Sequence, residues 1–99
     1  MEIPIDQLIS RLQEDLHNMS FISTCYEVVK VLYNHSKKGE AIEPILHLME
    51  TNPEVDFGLP GPLVSFLESF QGNGYEEKLI ESLSRKPTDH TLWMRFNEL

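Results

Sequence analysis

Any chemistry performed by this chain has to come from one cysteine, four histidines and the carboxylates around them. The histidines are His17, His35, His47 and His90, and the neighbourhood of His47 stands out. Glu43, His47 and Glu50 recur at intervals of four and three, which puts them on one side of a helix. Carboxylate and imidazole groups so placed can ligate a divalent metal, and di-iron bundles use Glu-x-x-His pairs on facing helices. Here the order is reversed and no second such motif occurs, so we read a solvated polar face and expect no metal and no cofactor. Cys25 lies among Tyr26, Val28 and Val29 on an apolar stripe, where a thiol is ordinarily an inert core group. Its solitude also excludes paired-cysteine metal spacings and an internal disulfide, which fits a reducing compartment. No motif fixes a serine against a base, and no glycine-rich phosphate loop follows a strand. We therefore expect no catalytic residue and a protein that is not an enzyme.

The elements that must position these side chains read as helices. Ile5, Leu8, Ile9, Leu12 and Leu16 form one stripe, predicting a helix over about 6–18. A second covers about 22–35, with Cys25, Val28, Val29 and Leu32 inward; its β-branched residues would suit a strand, but no partner strand sits nearby. Lys37, Lys38 and Gly39 supply the C-terminal chemistry that ends it. A third is predicted over about 40–51, with Pro44 tolerated in its first turn and Ile42, Ile45, Leu46 and Met49 inward. Glu40, Glu43, His47 and Glu50 make its opposite, solvent stripe. Asn52-Pro53 closes that helix, and the proline- and glycine-rich segment 56–62 is the main loop. Leu63, Phe66, Leu67 and Phe70 mark a fourth helix, stopped by Gly72-Asn73-Gly74. Tyr75, Leu79, Ile80 and Leu83 mark a fifth, with Glu77 and Glu81 facing out. A sixth follows Pro87, capped by Thr88 or Asp89, with Leu92, Phe96 and Leu99 as its apolar face and Trp93 and Phe96 as core or capping aromatics. Six short helices imply three antiparallel pairs, an all-α irregular stack forming a single domain over residues 1–99. No 34- or 40-residue repeat supports a solenoid.

Charge carries the functional content. Sixteen acids against eight bases give a net charge of −8, which excludes general nucleic-acid binding by phosphate neutralisation, so no nucleic-acid partner is expected. Nine of those acids (Glu40, Glu43, Glu50, Glu54, Asp56, Glu68, Glu76, Glu77, Glu81) lie between Glu40 and Glu81 with one base, Lys78. That segment holds −8 and the rest of the chain sums to zero. Such a segment is either a solubilising surface or the electrostatic footprint of a basic partner. No run of eighteen apolar residues occurs, so no membrane span is expected. The N-terminus has acids where a signal peptide needs bases, which leaves the cytoplasm as the expected location.

Two segments carry a resemblance. DFGLPGPLVSFLESF, from Asp56 to Phe70, and ESLSRKPTDHTLWM, from Glu81 to Met94, resemble a bacterial immunity-protein family. That family includes contact-dependent growth inhibition immunity proteins and other immunities of polymorphic toxin systems. Its pattern runs from an Asp-Phe-Gly-like turn into Pro-Gly-Pro-Leu-Val and a helix ending in an acid, then a Ser-Leu-x-Arg-x-Pro-Thr-x-x-Thr-x-Trp-Met segment. Where the family continues from Trp-Met into an Asn-Arg stretch, this chain reads Arg95-Phe96-Asn97-Glu98-Leu99. The shared residues also read as fold determinants: Gly58, Pro60, Gly61 and Pro62 set a loop and start a helix, and Arg85 pairs with a carboxylate. The resemblance implies an inhibitor that binds a cognate protein toxin domain, many such toxins being nucleases with basic clefts. Glu40, Glu43, His47, Glu50, Glu54, Asp56, Glu77 and Glu81 are then the candidate toxin-binding residues. The alternative is an acidic helical adaptor or regulatory subunit for another protein.

Overall fold

The first three elements wind around a shared apolar stripe. Helix α1 (Ile5–Asp15) buries Leu8, Ile9 and Leu12. Helix α2 (Phe21–Tyr33) buries Phe21, Thr24, Cys25, Val28, Val29 and Leu32. The two pack together, and an Arg11–Glu27 ion pair crosses their outer face. The computed structural model describes residues 2–58, 61–88, 91, 92 and 94, and among them every regular element is helical. Helix α1 ends at Asp15 because that carboxylate accepts the Thr24 hydroxyl from α2 and the Asn18 amide from the turn. The chain before α1 is fastened to the end of α2. His35 Nε2 bonds the Ile3 carbonyl at 2.9 Å, and the Glu2 carboxylate accepts both the backbone N–H and the hydroxyl of Ser36.

A 3₁₀ turn, Lys38–Ala41, leads into α3 (Ile42–Thr51). An α-helix begun at Glu40 would set the Pro44 ring against the Glu40 carbonyl and leave that carbonyl without its N–H. The tighter turn places Pro44 in the first turn of α3 instead, so the α-helix starts two residues later than the apolar pattern predicts.

Beyond α3, Asp56 Oδ1 accepts the Gly58 N–H at 2.8 Å, and the turn so formed buries Phe57 against Phe21, rings 5.6 Å apart edge to face. At Gly61 a β-carbon would stand 1.9 Å from the Phe57 carbonyl oxygen, so no other residue fits without moving the loop. Pro62 then opens α4 (Pro62–Glu68) at its first position, where a missing N–H costs no intrahelical bond. Gly74, at φ 92°, starts α5 (Tyr75–Arg85) from a left-handed conformation.

The stack is irregular. Helix α2 lies between α1 and α4, while α3 packs on α5 and touches α1. Only the first of the main packing pairs therefore joins helices adjacent in sequence. The β-branched run Val28–Tyr33 is helical, because its inner side meets α1 and α4. After α5, the Thr91 N–H bonds the Thr88 hydroxyl, so Thr88 is the cap at this helix start. Leu92 corrects the expected apolar face: it is exposed, and Met94 is buried in its stead, accepting the Tyr75 hydroxyl at its sulfur. Asp89, His90, Trp93, Phe96 and Leu99 lie outside the described residues. No helix among those described is long and apolar enough to cross a membrane.

Candidate functional site

The acidic stripe of α3 divides. Glu40, Glu43 and His47 are exposed, but Glu50 is only 5% exposed and points at α5. Its Oε1 accepts Arg85 Nε at 3.1 Å, while Oε2 accepts Arg85 Nη2 at 2.9 Å and the Ser82 hydroxyl at 2.7 Å. The Arg85 guanidinium holds the Glu50 carboxyl below the usual range, outweighing burial, which acts the other way. Glu50 is thus removed from the candidate contact surface. The physical reason is tertiary: Glu50 sits at the edge of the apolar arc of α3, and Ser82 and Arg85 of α5 cover it and bind its carboxylate.

Glu40, Glu43 and His47 line one groove of about 880 Å³. Ile9 of α1 with Pro44 and Leu48 of α3 supplies its apolar lining, and Lys78 of α5 also lines it. Lys78 Nζ stands 3.6 Å from Glu43 Oε1. Glu43 and Glu81 both act on the charge of Arg85, which places the α5 acid beside the same α3–α5 seam. Glu77 and Glu81 are exposed, one turn apart on α5, with half-exposed Ile80 between them. Four of the eight sequence-predicted residues, Glu40, Glu43, His47 and Glu81, therefore border the α3–α5 seam, while Glu77 is exposed elsewhere along α5.

Glu54 and Asp56 are not part of that side. They are exposed beside a separate groove of about 340 Å³, against the α1–α2 turn that carries the fully exposed Met19. Asp56 also has the turn-forming bond to Gly58, so a fold role competes with any contact role. Among the described residues, Glu40, Glu54, Glu77 and Glu81 form no ion pair, although Glu81 lies within the field of Arg85.

The other reactive groups are held in the core or the turns. Cys25 is fully buried, and burial, aided by the Asp15 carboxylate, pushes its thiol up to about 12. A thiol so placed is protonated at neutral pH and is no nucleophile. With Glu50 bound by Arg85, the Glu43–His47–Glu50 triplet no longer converges, and among the described residues no set of three His, Cys, Asp or Glu side chains does. Chelator treatment is expected to leave the melting temperature unchanged, whereas a metal bound only by the folded state would make the melt chelator-sensitive. A sensitive melt that His47→Ala abolishes would restore the metal reading.

The residues that sequence reasoning missed are neutral or basic: Ile9, Leu48 and Lys78 around the groove. The only signal at Lys78 is its isolation as the single base among nine acids. Comparison with protein-family models, curated proteins and solved structures finds no match for this chain.

Proposed function

We propose that this protein is a cytoplasmic immunity protein that neutralises a cognate toxin domain by stoichiometric binding, its acidic α3–α5 side meeting a basic surface. The observation that carries the reading is the placement of Glu40, Glu43, Glu77 and Glu81, all exposed, within a segment of net charge −8. The resemblance of the segments 56–70 and 81–94 to polymorphic-toxin immunity proteins supplies the class of partner. A nuclease-type toxin is the best fit, since a cleft that holds phosphates is basic and attracts carboxylates. Charge of this kind speeds encounter and rejects wrong partners more than it adds raw affinity.

The test is co-expression with the toxin domain encoded beside it, followed by co-purification and affinity measurement at low and moderate salt. Glu77→Lys and Glu81→Lys should slow association and flatten its salt dependence while the melting temperature holds. A desolvated central acid would instead speed dissociation and cost about 2–5 kcal/mol. Glu14→Lys on α1 is the control; Asp15 is unsuitable because it accepts the Thr24 hydroxyl. Failure to co-purify would sink the reading. Equal weakening by Glu14→Lys, or affinity indifferent to salt, would reduce the acidic segment to a solubility feature.

A further inference from the structure

A carboxylate that imitates a phosphate has to project into its partner's cleft, and Glu77 and Glu81 are exposed on α5 in a way that would allow it. Glu40 and Glu43 are placed differently, at the wall of a concavity. Its volume of about 880 Å³ falls in the range that receives a ligand, roughly 300–1,000 Å³. Its lining is mixed, with apolar surface from Ile9, Pro44 and Leu48 beside the two acids and His47. A surface that only repelled anions or aided solubility would need no apolar lining.

Lys78 indicates what belongs there. It is the single base of the acidic segment, and its ammonium stands 3.6 Å from Glu43, both residues lining the groove. Both partners of that pair are substantially exposed, at 38% and 53%, so the pair is weak and readily exchanged. Lys78 supplies from within the molecule the cation that the groove accepts.

We infer that the groove receives an amphipathic, basic segment of the partner protein. An apolar side chain of that segment rests on Pro44 and the small exposed edge of Ile9, over the buried Leu48, and a lysine or arginine reaches Glu40 and Glu43, displacing Lys78. The interface is thereby two-way: the projecting acids of α5 enter the partner, and the partner enters the groove. This rests on the reading of the protein as an inhibitor of a basic partner, and sharpens which surface is used and how.

Two uncharged fillings separate the groove from general acidity. Gln13→Trp on α1 and Thr51→Trp on α3 each add bulk to a groove wall from an exposed position, without altering net charge. The probe is a synthetic amphipathic helical peptide of leucine and arginine, followed by fluorescence anisotropy and by amide chemical-shift mapping. A peptide of the same composition in scrambled order, lacking an apolar face, is the reference. Both tryptophan variants should weaken the amphipathic peptide about tenfold or more with melting temperatures maintained. Lys78→Met should tighten it several-fold, and shifts should cluster around Ile9, Glu43 and Leu48. The scrambled peptide should bind more weakly and ignore the tryptophans. If the two peptides bind alike and both fillings are without effect, the face reads charge alone and the inference falls. Loss of the toxin's co-purification in wild-type protein, with peptide binding intact, would overturn the inhibitor reading and leave the groove. Toxin binding undiminished in both tryptophan variants would overturn the groove and leave the inhibitor.

Discussion

Phe66→Ala should destabilise the fold by about 3–5 kcal/mol, the usual cost of removing a buried aromatic ring. Phe66 is fully buried on α4, where its ring meets Tyr33 of α2 and Phe70 of the following turn, each 5.2 Å away and edge to face. The truncation removes the ring's own transfer from water and leaves a cavity between α2 and α4. It also loses two ring pairs worth about 0.5–1.5 kcal/mol each beyond their burial. A domain of this size has only about 5–15 kcal/mol to lose, and each kcal/mol lowers its melting temperature by roughly 4–8 °C. Thermal and urea unfolding should therefore show one of the largest single-residue effects in the chain. Phe70→Ala should cost less, because Phe70 is only half-buried, and Ile80→Ala less again, because Ile80 stands on the solvent side of α5. A change below about 1 kcal/mol for Phe66→Ala would mean that α4 does not seat on α2 as described.

Phe66 belongs to the part of the fold that was legible. Its spacing from Leu63, Leu67 and Phe70 marks an inward face whichever helix comes to cover it. The same holds for Leu8, Leu12, Val28 and Leu32, all of which the structure buries. Local chemistry was legible for a similar reason: Pro62, Gly61 and Gly74 act through their own backbones, within a few residues. What periodicity could not supply was the identity of each neighbour. Helix α3 buries Leu48 as well as its predicted face, because α1 and α5 flank it from different sides. The groove at Ile9, Glu43 and Lys78 arises from residues on three helices, and no local pattern announces a concavity. Glu40, Glu43, Glu77 and Glu81 are exposed as their spacing predicts, because no partner draws them inward and the one ion pair among them, Glu43–Lys78, is itself at the surface. Glu50 was misplaced for the opposite reason. It sits at the boundary of the apolar arc of α3, and Ser82 and Arg85, more than thirty residues later, decide which way it turns.

Glu50→Lys should unfold or severely destabilise the protein, where reversal of a solvent-facing acid would cost within about 0.5 kcal/mol. The substituted ammonium would stand beside the Arg85 guanidinium at the α3–α5 seam, leave the Ser82 hydroxyl without its acceptor, and find little water at a site 5% exposed. Breaking a fully buried pair costs about 3–5 kcal/mol, an upper bound here because only the Glu50 side of the pair is buried. Glu50→Ala should cost less, about 1–3 kcal/mol, because Arg85 is itself 41% exposed and can recover water. Acid titration gives an independent check. The folded carboxyl is held below its ordinary value, so its contribution to stability is complete above the unfolded value and is lost as pH falls through the folded one. Glu50→Gln should therefore flatten the acid limb of the melting temperature against pH and leave the remainder of the curve parallel. If Glu50→Lys melts within a few degrees of the parent, the Arg85–Glu50–Ser82 pin does not hold α3 on α5. The distinction decides how binding data are to be read. Under the proposed inhibitor reading, Glu50→Lys should lose the toxin by losing its fold, whereas Glu77→Lys and Glu81→Lys should only slow its association while still melting at the parental temperature.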